Sequence, residues 1–63
     1  MLTKRQIKLA ALAFIGSDAV SAEEPYFGLS RDYMFVRVED SFGWTNIVSV
    51  DCVSGKCELV HVH

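Results

Sequence analysis

Cys52, Cys57, His61 and His63 are the side chains of this 63-residue sequence whose types suggest ligand chemistry. Two thiolates and two imidazoles would suit a tetrahedral zinc ion. Their spacing argues against it. On an extended strand Cys57 lies ~13 Å from His61 and ~20 Å from His63, whereas a tetrahedral site gathers its ligands within ~2 Å of one ion. The interval C-x4-C also departs from the C-x2-C of zinc knuckles. No metal or cofactor is expected, and the two histidines read as the end of a strand.

The cysteines have other uses. Residues 44–63 read as a β-hairpin with its turn at Val53-Ser54-Gly55-Lys56, because Gly55 can take the positive φ of a tight connection. That turn sets Cys52 opposite Cys57 at a non-hydrogen-bonded site, where Cα atoms lie ~4.5 Å apart, near the short end of what a disulfide tolerates. A bridge there would contribute about 2 kcal/mol. In a reducing compartment the same residues are small apolar fillers. A redox-active pair has less support, since the spacing is not C-x-x-C and neither cysteine falls at an expected helix N-terminus.

Catalytic patterns are missing. The sequence contains no G-x-S-x-G, no phosphate-cradling glycine loop and no H-E-x-x-H, and its adjacent carboxylates, Glu23-Glu24 and Glu39-Asp40, read as solvated boundary residues. A non-enzymatic protein is therefore expected. A formal net charge of -2, with the basic residues scattered beyond Lys4, Arg5 and Lys8, argues against clamping a phosphate backbone. A nucleic-acid-binding regulator, as a reduced winged helix or an aromatic stacking face, stays a lesser alternative.

The elements that must position these residues follow from periodicity. Thr3 caps a helix and Gln6, three residues on, completes a capping box. Ile7, Ala10, Ala11 and Phe14 recur at helical spacing, widened by Leu9, Leu12 and Ile15, so a helix spans about 3–15 with Gly16 as its stop, or runs on to residue 22. Residues 25–32 read as a connection punctuated by Pro25 and Gly28. Strands follow at about 33–39, 44–52 and 57–62, giving an α+β fold with one helix on a three-stranded antiparallel meander in a single small domain.

A four-residue turn at Asp40-Ser41-Phe42-Gly43 would set Glu39 opposite Trp44 and sort the strands into two faces. The aromatic face, with Tyr33, Phe35, Trp44, Val48, Val50, Cys52 and Leu59, is expected under the helix, because Asp51 and Glu58 face each other on the opposite side and need water. Met34, Val36, Val38, Ile47, Val60 and Val62 would then form an uncovered apolar patch for a partner.

The functional expectation is a small protein-binding module, accessory or inhibitory in role, of the kind phages and mobile elements often encode. Its partner would be another protein or a second copy of itself. A cytoplasmic location is expected, with no membrane span, since only seven apolar residues run together from Leu9 to Ile15. The competing reading takes residues 1–22 as a signal peptide: Lys4, Arg5 and Lys8 precede an apolar run, and Val20-Ser21-Ala22 supplies small residues before Glu23. The protein would then be a periplasmic or secreted one stapled by its cysteines.

Overall fold

The computed structural model describes residues 1–63 as one helix packed on a five-stranded antiparallel sheet. The fold is α+β, with two more strands than the sequence suggests. Helix α1 spans Lys4–Ile15, followed by a short 3-10 turn at Gly16–Asp18. Strands β1 (Ala19–Ala22), β2 (Tyr26–Phe27), β3 (Tyr33–Asp40), β4 (Thr45–Asp51) and β5 (Cys57–Val62) complete the chain.

The helix starts as its sequence dictates. Thr3 Oγ1 accepts from the Gln6 N–H at 3.1 Å, and Gln6 Oε1 accepts from the Thr3 N–H at 2.8 Å. It stops at Gly16, whose φ of 91° lies in the region that glycine tolerates and other residues avoid. Residues 19–22 do not extend the helix. They turn back along β3, where Ala22 pairs with Val38 and Ala19 with Asp40, with Val20 bulged out between. β2 pairs with the other half of β3, Tyr26 opposite Phe35, so β1 and β2 together form one edge of the sheet. β5, hydrogen-bonded to β4 alone, forms the other.

The β3–β4 register differs by one residue from the sequence expectation, and this difference decides the faces. Val36 lies opposite Val48, Met34 opposite Val50 and Val38 opposite Asn46. Asp40 belongs to β3, its N–H bonded to the Trp44 carbonyl at 3.0 Å, which leaves a three-residue loop ending in Gly43 at φ 85°. Three-residue hairpin loops commonly end in a residue of this conformation. A slip of one residue exchanges the faces of one strand against its neighbour. The core therefore combines the aliphatic side of β3 with the Val48, Val50 and Cys52 side of β4, sealed by Ile7 and Ala11 of the helix.

The helix thus lies over Met34, Val36 and Val38, and the aromatic residues Tyr33 and Phe35 face away from it. The β4–β5 register is displaced as well. Cys57 lies opposite Val50, not Cys52, because the loop is Cys52–Gly55 between Asp51 and Lys56. The Asp51 carboxylate makes that loop by accepting the N–H groups of Val53 and Ser54 at 2.8 and 2.9 Å. Farther along, an irregularity in the β4–β5 ladder opposite Ile47 and Val48 leaves Val60 without a partner. It turns His61, opposite Ile47, away from the face that carries Cys57 and Leu59.

Candidate functional site

The residues expected to form an uncovered patch divide into three groups. Met34, Val36 and Val38 are buried in the core beneath the helix, so they offer no surface to a partner. The one-residue register difference is the reason. Ile47 lies on the open face, half-buried between Arg37 of β3 and His61 of β5. Val60 and Val62 lie on β5 and are exposed.

Around those two valines the structure assembles an apolar strip. The helix packs mainly on β3, β1 and β4 and touches β5 less than any of these. Leu59, which shares the helix-side face with Val48, stays 46% exposed in consequence. Val62, opposite Asn46, lies farther along that face, and exposed Trp44 precedes Asn46 by two residues and so falls on the same side. From the helix, Ala10 approaches the strip, with its carbonyl 3.6 Å from the Cys57 Sγ. Exposed Phe14 stands one turn farther along the same stripe. Beside this strip runs the unpaired side of the β5 backbone. Leu59, Trp44 and Phe14 belong to the site although sequence patterning assigned them to the core. The signal that could have separated them was the width of a single helix: at ~10 Å across with its side chains it covers two or three strands set ~4.8 Å apart.

The open face is mixed. Its cross-strand rows are Glu39 with Thr45, Arg37 with Ile47 and His61, Phe35 with Ser49 and Glu58, and Tyr33 with Asp51. Polar and charged groups interrupt every row, so it is not a contiguous apolar surface. Ser49 is short and sits between the long side chains Phe35 and Glu58, which leaves a hollow. Two adjoining depressions of about 290 and 480 Å³ share Tyr33, Ser49 and Glu58 as lining.

The four ligand-type residues do not converge. Cys52 is buried and Cys57 half-buried, both as free thiols, and the cross-strand opposition that a disulfide would use is taken by Val50 and Cys57. Burial raises the Cys57 thiol pKa above its ordinary value. The His61 and His63 rings stand 4.8 Å apart, and no group of three or more metal-binding side chains forms with them.

Two carboxylates act structurally at the hairpin loops. Asp40 Oδ2 accepts from the Asn46 amide at 2.9 Å, and Oδ1 accepts from the N–H groups of Phe42 and Trp44 at 3.0 Å. Asn46 is the one buried polar side chain, 6% exposed, and its second bond, to the Val38 carbonyl at 3.1 Å, leaves it satisfied. The Asn46 amide, followed by the loop N–H groups, holds the Asp40 carboxyl below its ordinary pKa. The N–H groups of Ser54 and Val53 do the same for Asp51.

No protein family, curated protein or solved structure matches this chain. No helix is long and apolar enough to cross a membrane.

Proposed function

We propose that this chain is a small non-enzymatic protein-binding module that takes an extended segment of another protein, or of a second copy, along β5. An accessory or inhibitory role follows if that segment is needed elsewhere by its owner. The observation that carries this reading is the edge itself: a six-residue strand paired with β4 on one side only, flanked by exposed Leu59, Val60 and Val62. Strand addition supplies main-chain hydrogen bonds for affinity and alternate side chains for selectivity. An added strand would set every second side chain on the helix side, against Leu59, Val62 and Phe14, completing a core that the helix leaves uncovered.

Selection of displayed random peptides on the full-length chain tests this. Extended, β-branched sequences should be enriched, and they should bind Val60→Lys at least tenfold more weakly. Recovery of no binder, or of binders indifferent to Val60→Lys and Leu59→Lys, would remove the proposal. Sedimentation equilibrium identifies the occupant: a dimer dispersed by Val60→Lys makes it a second copy, and a monomer leaves the edge free for another protein.

A further inference from the structure

We propose that the hollow on the open face, between Phe35, Ser49 and Glu58, receives a lysine or arginine side chain of the docked segment. This rests on the reading of β5 as the docking edge, since Glu58 belongs to that strand and projects to the open face.

The hollow is built rather than incidental. Gly28 lies so close to the Phe35 ring that a Cβ there would collide with it, and Tyr26 tilts against the same ring at 5.8 Å between centroids. Phe35 is thereby fixed as the floor, with the Gly28–Ser30 segment as a wall and Tyr33, 46% exposed, at the side. At the β5 rim stands the exposed Glu58 carboxylate, which has no cationic partner; the chain's ion pair, at 4.0 Å, joins Lys8 to Glu24. Lys56 and Asp51 line only the smaller depression beyond Tyr33. Arg31 is engaged elsewhere, 5.5 Å over the Phe27 ring.

Two aromatic rings and a carboxylate, with no cation in the hollow's own lining and with Arg37 one row away and Lys56 in the adjoining depression, select one class of group. A cationic side chain can lay its aliphatic stem on the rings, gain cation–π attraction from them and keep its charge beside Glu58. An apolar side chain would desolvate Glu58 without compensation, and an anion would be repelled by it. A strand added ~4.8 Å beyond β5 brings such a residue within a long side chain's reach when it lies opposite Glu58. The preferred segment thus alternates: apolar residues toward Leu59 and Val62, and a basic residue toward the hollow.

The test uses the full-length chain, isotope-labelled, titrated with N-acetyl-arginine amide and with the neutral isostere N-acetyl-citrulline amide while the Tyr33, Phe35 and Glu58 resonances are followed. The arginine probe should shift them saturably, more weakly at high salt, and with affinity lowered about two- to fivefold in Glu58→Gln. Equal response to citrulline, indifference to Glu58→Gln, or absence of saturable shifts would overturn the proposal. A single amino acid cannot add a strand, so this failure leaves the β5 reading standing. Failure of the peptide selection with success here would remove the β5 reading and the docked segment with it, leaving the hollow as a site for a free cationic group.

Discussion

The two edges of the sheet meet the same hazard in different ways. An edge presents unpaired N–H and C=O groups to any passing strand, and proteins usually blunt it with short strands, bulges, proline or charge. The β1/β2 edge uses all four: strands of four and two residues, bulged Val20, buried Pro25 and the Glu23-Glu24 pair. The β5 edge runs six residues without proline, its single carboxylate at Glu58, and it too carries an exposed, bulged valine, Val60. On the proposed reading, one edge is closed to partners and the other is left available. Since both bulges expose a valine, and β2 also exposes Tyr26 and Phe27, neither the bulge nor apolar exposure distinguishes them; strand length, Pro25 and the Glu23-Glu24 pair do.

Removing β1 together with the helix is the most drastic way to break this contrast. A chain beginning at Glu23 loses Ile7 and Ala11, which seal the core. A 63-residue domain holds about 3–9 kcal/mol of stability, and Ile7→Ala alone should cost about 2–5 kcal/mol. The truncated chain should show no cooperative thermal transition by circular dichroism. A sigmoidal melt would mean that β2–β5 fold unaided, as a protein with residues 1–22 removed as a signal would require.

Paired substitutions sharpen the contrast. Val20→Lys and Val60→Lys both alter exposed bulge positions, so each should change stability by less than about 0.5 kcal/mol in urea unfolding. Binding of selected peptides should fall at least tenfold for Val60→Lys and stay unchanged for Val20→Lys. Equal losses would dissolve the distinction between the edges.

Acid should affect both hairpins before it affects either edge specifically. Asp40 and Asp51 have folded pKa values below the ordinary 3.8, so their contribution is whole above that value and is lost as pH falls below it through the lowered folded values. Thermal melts should fall over that window, and Asp40→Asn or Asp51→Asn should flatten the acid limb. A limb unchanged in both variants would contradict the loop role. The smallest effect concerns the thiols. Near pH 8, Cys57 should alkylate more slowly than an unfolded-chain cysteine, because burial keeps it protonated, and buried Cys52 more slowly still, read by mass spectrometry. Rapid modification of Cys57 would indicate that β5 frays.

What the sequence made legible was local. Thr3 and Gln6 announced the helix start and Gly16 its stop, and the strands at Tyr33, Thr45 and Cys57 were readable from β-branched runs bounded by turn residues. Register was not readable, because both sides of Tyr33–Glu39 and of the following strand are substantially apolar. Whether Asp40 closes the loop or ends the strand decides which sides join. Placing Met34, Val36 and Val38 on a free surface followed directly from that one residue. β1 and β2 were hidden for another reason: Ala19–Ala22 has weak intrinsic strand character and becomes a strand by pairing with β3, a long-range contact. Val60 and Val62 were identified as accessible; the strip they share with Leu59 depends on how far the helix reaches.

The most direct test of the open edge is amide hydrogen exchange of the full-length chain, with and without a saturating selected peptide. Added protection should concentrate in Cys57–Val62, with β1 and β2 unchanged. Protection along Ala19–Phe27 instead, or none along β5, would contradict the assignment of β5 as the edge where another chain docks.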